Sequence, residues 1–266
     1  MKIAFLDSGV GGLTVATEFF KIMPDKEYIY YGDTLHLPYG PRPSQEVKEF
    51  SLEIIDFLLN EKGADIIVIA CNTASAVALN LAKNKFQKPI YGTINSASKK
   101  AIKVTKNKKV GIIGTEGTVK SKAYQNAIID NDPNISVYAE PCPKFVNFVE
   151  KGELSGQSVY NYAQSCLEPL KRAKVDTLIL GCTHFPYLTD IIGDVMGQEV
   201  NLINPAFVLA RTVKNNIEKI ENEKEIVKKE KIDFMVSDIG NISKLFWNGK
   251  LIDKNLISLS EVNIFG

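Results

Sequence analysis

Arginine is nearly missing from this 266-residue chain, where Arg42, Arg172 and Arg211 stand against many lysines. An acidic ligand would find few bidentate guanidinium clamps, so main-chain N–H groups and hydroxyls would carry much of its recognition. Histidine is scarcer still, with only His36 and His184. The four cysteines, Cys71, Cys142, Cys166 and Cys182, include no CxxC pair, so a zinc site has little to be built from and no metal is expected. Charge of one sign is not in excess either, the formal net charge being +1. Nothing is available to release counterions from nucleic acid or to hold an anionic membrane, which leaves a small molecule as the expected partner. No stretch approaches the roughly 20 apolar residues of a membrane span. The apolar run in the N-terminal MKIAFLDSGVGG stops at Asp7, too soon for a signal peptide. These absences predict a cytoplasmic protein. In that reducing compartment four free thiols are expected, with Cys142 and Cys166 filling core.

What is present is an ordinary globular composition, 45% hydrophobic and 24% charged, in a chain long enough for two domains. Apolar runs of strand length, KIAFLD, EYIYYGD, DIIVIA, PIYGTI, KVGIIG, ISVYAE, DTLILG, EVNLIN and IDFMVSD, alternate with longer segments whose apolar residues recur three and four apart. That alternation predicts an α/β fold of open parallel sheets covered by helices on both faces. Ser44 after Pro43 and Ser155 beside Gly156 mark helix starts, and Gly63 marks a stop. The charged stretch at 217–232 reads as a solvated helix face or connector.

Two segments repeat. ADIIVIACNTAS at 64–75 and VDTLILGCTHFP at 175–186 align Asp65 with Asp176, Cys71 with Cys182, Asn72 with Thr183 and Thr73 with His184. KIAFLDSGVGG likewise matches KVGIIGTEGT, setting Ser8 against Thr115. The offset is 107 residues from Lys2 to Lys109 and 111 from Cys71 to Cys182. We read two similar α/β domains. The expected division is 1–94 with 205–266 for the first domain and 95–204 for the second.

In open parallel sheets ligands bind beyond the carboxyl ends of the strands. Asp7 and Ser8, Cys71 to Thr73, and Cys182 to His184 all fall there. Two domains facing each other would place one thiol on each side of a shared cleft, the arrangement needed to take a proton from one face of a carbon and return one to the other. A free thiol has a pKa of about 8.5 and needs a cation, hydrogen-bond donors or a helix N-terminus to act as a base. His184 and Asp7 are candidate proton relays, and Asn72, Thr73 and Thr183 add donors. The turn SGVGGLT, with Asp33 after the second strand, is a weak match to a dinucleotide fingerprint, because Thr14 takes the third glycine position. A turn that binds a carboxylate or ammonium group through Asp7, Ser8 and main-chain N–H groups fits at least as well. LPYGPRP at 37–43 puts Tyr39 and Gly40 on a loop.

DSGVGGLTV, GD followed by PYG, ACNTASA, IGTEGTVKSKAYQ, PCPKFVNFVE and GCTHFP occur in this order over roughly residues 3–190. Together they resemble glutamate racemases of the aspartate/glutamate racemase superfamily. The resemblance implies two open parallel-sheet α/β domains related by pseudo-twofold symmetry with the active site between them, racemisation of L- and D-glutamate with no cofactor, supply of D-glutamate for peptidoglycan, and a homodimer. It makes Cys71 and Cys182 the two acid/bases, Cys71 serving the D-enantiomer and Cys182 the L-enantiomer. Asp7, Ser8, Tyr39, Gly40, Asn72, Thr73, Thr183 and His184 match substrate-contacting positions, and Glu150 matches an acidic residue that assists proton transfer. Asn204 stands where many relatives are expected to carry an acid, and no catalytic role is assigned to it. An aspartate or hydantoin racemase or a related decarboxylase on the same scaffold stays open, as does a binding protein, either a non-catalytic amino-acid sensor or one that binds gyrase.

Overall fold

The computed structural model describes residues 1–219, 232–242, 246 and 257–265. The predicted strands are β1 (Lys2–Asp7), β2 (Glu27–Gly32), β3 (Ile66–Ile69), β4 (Ile90–Gly92), β5 (Lys109–Gly114), β6 (Ser136–Pro141), β7 (Thr177–Gly181), β8 (Asn201–Ile203) and β9 (Ile232–Val236). A tenth, β10 (Ile257–Glu261), was not foreseen. Among the described residues it pairs with β9 alone, at a sheet edge, and it is half-buried, so ISLSE carries little of the apolar signal that marks the central strands. Between the strands run α1 (Leu13–Ile22), α2 (Ser44–Asn60), α3 (Asn72–Lys85), α4 (Thr93–Val104), α5 (Glu116–Lys120), α6 (Ala123–Ile129), α7 (Pro143–Glu150), α8 (Gln157–Ala173), α9 (Thr189–Met196) and α10 (Pro205–Glu218). Helix α2 begins at the expected Ser44, and Gly63 in the turn beyond it takes a left-handed φ of 66°. Helix α8 opens with Gly156 at φ 102° in the flanking position, and Ser155 does not cap it.

The strands form two parallel sheets, in the orders β10-β9-β2-β1-β3-β4 and β6-β5-β7-β8. Strand β3 is buried throughout and β1 along all but its first residue, which explains their unbroken apolar runs. The winding β2-β1-β3-β4 is repeated as β6-β5-β7-β8, so the sequence repeat is a repeat of topology. The repeated aspartates take the same place in both. Asp65 N–H donates to Lys2 O at 2.9 Å, and Asp176 N–H donates to Lys109 O at 3.2 Å.

Four free thiols were expected, and the structure corrects this for two of them: Cys142 and Cys166 form a disulfide, with Cα atoms 6.2 Å apart. Helix α8 packs on β6, whose chain runs straight into Cys142, and this brings Cys166 alongside. Reasoning from the compartment could not register that proximity. Cys71 and Cys182 are free and buried. Of the charged stretch, residues 220–231 lie outside the described residues. Among the described residues no helix is long and apolar enough to cross a membrane.

Candidate active site

The register of each sheet sets a cysteine beside a hydroxyl. Leu6 pairs with Ile69, so Ser8 and Cys71 leave neighbouring strands together, with Oγ and Sγ 3.9 Å apart. Gly114 pairs with Gly181, so Thr115 and Cys182 do the same in the second sheet. All four line one cleft of about 230 Å³, together with Tyr39, Gly40, Asn72, Thr73, Thr183 and His184. That is below the roughly 300–1,000 Å³ typical of drug-sized ligands and suits a small metabolite. Asp7 and Glu150 stand behind the lining.

Cys71 is the residue from which α3 starts, and its Sγ accepts the Ala74 N–H at 3.5 Å. A helix N-terminus favours a thiolate, but here it is outweighed. Burial, reinforced by the charge of Asp7, pushes the Cys71 pKa up to about 12, against the Ala74 and Ser8 hydrogen bonds. Cys71 is therefore a thiol at neutral pH. Asp7 is itself fully buried, and desolvation raises its pKa to about 6 despite the opposing pull of His184 and of the Gly12 and Gly9 N–H groups. Those two N–H groups reach its Oδ2 at 2.9 and 3.3 Å.

The glycine turn is explained by close packing. A Cβ on Gly12 would lie 2.6 Å from Asp7 Cβ, and one on Gly11 would lie 2.6 Å from His184 Cε1. The glycines thus admit Asp7 and His184 into contact distance, with no bound pyrophosphate needed to account for them.

Cys182 lies in a different field. Its Sγ is 3.7 Å from His184 Nδ1, and His184 Nε2 is 2.5 Å from Glu150 Oε1 on α7. Burial works against a charged imidazole, but the hydrogen bonds to Cys182 and Glu150 prevail and raise the His184 pKa well above its ordinary value. The two thiols, equivalent in topology, are thus unlike in chemistry: one faces a carboxylate, the other an imidazolium.

The remaining lining is rich in donors and carries one acidic side chain, Glu116. Among the described residues no arginine or lysine lines the cleft. Asn72 Oδ1 is held by Tyr124 Oη at 2.6 Å and Thr93 Oγ1 at 2.9 Å, which leaves the amide donors of Asn72 for a ligand. Thr73 Oγ1 meets Thr115 Oγ1 at 2.9 Å and Thr118 Oγ1 at 3.2 Å across the cleft. Thr115, Glu116, Pro143, Val146 and Asn147 also line the site and were not named from the sequence. Thr115 was legible as the counterpart of Ser8. Pro143, Val146 and Asn147 fall inside PCPKFVNFVE, whose last residue alone had been singled out. Asn204, left without a role, caps α10 by accepting the Ala206 N–H.

A family model described as Asp/Glu/Hydantoin racemase matches residues 15–213. The chain belongs to this family. It is an amino-acid racemase, an isomerase. It is 47% identical over 211 residues to a glutamate racemase of Corynebacterium diphtheriae, covering 79% of each chain. To a glutamate racemase of Streptococcus agalactiae it is 49% identical over 211 residues, again covering 79% of each. Among solved structures, a glutamate racemase isoform from Bacillus anthracis superposes with a TM-score of 0.89 at 33% identity, over 98% of this chain and 97% of that one. The glutamate racemase of Francisella tularensis in complex with D-glutamate gives 0.89 at 29% identity, over 99% and 98%. An aspartate racemase from Picrophilus torridus, at 20% identity and a TM-score of 0.56 over 81% of this chain and 94% of that one, shares the fold.

Proposed function

We propose that this racemase interconverts L- and D-glutamate without a cofactor, with Cys71 and Cys182 working on opposite faces of the α-carbon. The observation that carries the reading is two free, buried cysteines at equivalent strand ends of the repeated halves, lining a single small cleft. In the starting state Cys182 beside the His184 imidazolium takes the α-proton of L-glutamate. Cys71, held as a thiol, gives its proton to the other face. The product is D-glutamate, with the thiol and thiolate exchanged, and this mirror state runs the reverse reaction. Asp7 and the His184–Glu150 pair carry protons to and from the sulfurs. Helix and turn N–H groups with Ser8, Asn72, Thr73 and Thr183 hold the carboxylates, while Tyr39 and Gly40 form the opposite wall. The identity to relatives named glutamate racemase supports glutamate over aspartate.

The same resemblance supports a role in supplying D-glutamate for peptidoglycan, action in the cytoplasm and assembly as a homodimer. A division into 1–94 with 205–266 and 95–204 agrees with sheets built from residues 2–92 with 232–261 and from 109–203.

The test is incubation with L-glutamate in deuterated water. Deuterium should enter the α-position as D-glutamate appears, and Cys71→Ala or Cys182→Ala should abolish turnover while leaving the melting temperature near that of the wild type. Absence of exchange with either enantiomer overturns the reading. Exchange with aspartate and not glutamate would move the substrate to the shorter acid.

A further inference from the structure

The acidic residue after β2, Asp33, takes no part in the chemistry above, yet it is completely buried and densely partnered. Its carboxylate accepts the Tyr39 hydroxyl at 2.6 Å and the Ser237 hydroxyl at 2.9 Å, and lies 2.9 and 3.0 Å from His36 Nδ1. A carboxylate is tolerated without water only when it is satisfied in this way. Ser237, just past β9, also accepts the Leu35 N–H at 2.8 Å. The His36 ring stacks on Phe50, with centroids 3.9 Å apart, and meets the edge of Phe265 near the C-terminus at 4.6 Å. Residues 33–39 are thereby wrapped around one carboxylate, with aromatic rings packed against His36.

That wrapped segment leads into one wall of the cleft. Leu37 to Pro41 line it, and Gly40 O accepts the Gly117 N–H of α5 from the other half at 2.9 Å. Tyr39 is 1% exposed, and burial followed by the charge of Asp33 holds its hydroxyl protonated. Its proton is committed to Asp33, so it has none to relay. We propose that Asp33 is a positioning residue, which acts through the Tyr39 hydroxyl to fix the wall at 37–41 against which the substrate is held. His36 and Ser237 fix the carboxylate in turn, and this gives the segment after 205 a part in the site. The proposal rests on the reading of this cleft as the place where the amino acid is turned over.

The experiment compares wild type with D33N, Y39F and D33N/Y39F in steady-state racemisation from both enantiomers. A displaced wall should raise KM about tenfold or more in each single variant, the size expected for one hydrogen bond to a charged group, with a smaller fall in kcat. The double variant should be no worse than the worse single one, because the two residues act as a unit. The pH profile should keep its limbs, since no proton passes through the pair. Losses that add independently, or an unchanged KM in Y39F, overturn the proposal. Y39F removes one oxygen and leaves the ring, so it decides the matter even where a variant at Asp33 folds poorly. Failure of the glutamate reading would appear in the wild type as no turnover of that acid. The proposal reads only the ratio of variant to wild type, for whichever amino acid the wild type turns over.

Discussion

Replacing Asp7 with asparagine should make the protein more stable and inactive, with a gain that depends on pH in a defined way. Asp7 is fully buried, and desolvation lifts its pKa from 3.8 to about 6. The folded state therefore holds this proton more tightly than the unfolded chain does. The stability contributed by the group is fully present below about pH 3.8 and lost as pH rises through about 6. At 1.36 kcal/mol per pKa unit the loss is about 3 kcal/mol above that window. An amide there does not titrate and keeps an oxygen for the Gly9 and Gly12 N–H groups that now reach Oδ2. Oδ1 of Asp7 has no hydrogen-bond partner among the described residues, so the amide breaks no hydrogen bond on that side. D7N should thus exceed the wild type by about 3 kcal/mol at pH 7.5, or about 6–12 °C in melting temperature for a chain of this size. The two should converge as pH falls towards 4. Urea unfolding of both proteins between pH 4 and 8 measures the gap directly, and subtraction removes every other titrating group. A gap that stays flat with pH, or a D7N protein no more stable than wild type at pH 7.5, would refute the claim that a buried carboxylate is held here at the expense of the fold.

Two further outcomes are expected. E150Q replaces a charged acceptor on His184 with a neutral one, so the imidazole loses part of what holds it protonated against burial. A charge-assisted hydrogen bond of about 1.5–3 kcal/mol predicts a fall of about 10- to 150-fold in turnover. Because the enantiomers have an equilibrium constant of one, kcat/KM measured by circular dichroism must fall equally in both directions, and a change below twofold would count against the relay. C166S opens a bridge with a sequence separation of 24 residues, a closure worth about 3.5 kcal/mol in the chain-entropy account. Its unfolding midpoint in urea should drop while turnover stays within about twofold of wild type. An equal midpoint for wild type with and without reductant would show that the bridge contributes nothing.

The legible parts of the fold were those in which one residue pattern answers to one physical demand. Strands such as DIIVIA and DTLILG are buried on both faces and so cannot avoid an unbroken apolar run, and this made the central strands and the doubled topology readable. ISLSE lies half-buried on an edge and bears no such demand. The same logic applies to the site. Cys71 and Cys182 stand out because each directly follows a buried apolar strand, whereas Glu116 and Asn147 enter the cleft from the helices α5 and α7, which carry no such mark. The disulfide depends on packing between residues 24 apart, which composition and compartment do not encode. Asp33 was visible but was weighed against the wrong ligand. A carboxylate after a second strand suggests a ribose contact, and only the fold shows that it bonds Tyr39 and Ser237 instead.

Duplication explains the placement of two sulfurs, but a pair kept truly equivalent would not work well. The proposed two-thiol reaction needs one sulfur without its proton and the other with it at the moment the substrate is held, and two identical thiols in one cleft would both be neutral near pH 7. The halves have diverged at the residues that settle this. Where the first half follows its cysteine with Asn72 and Thr73, the second follows with Thr183 and His184, and Glu150 comes from α7 to support the imidazole. Where the first half ends β1 on Asp7, the second ends β5 on Gly114, which carries no charge. A carboxylate stands beside Cys71, where burial and that charge hold the proton on the sulfur, whereas Cys182 stands beside His184. On the proposed reading the geometry comes from the repeat, and the separate parts of the two sulfurs come from the few side chains at which the repeat fails.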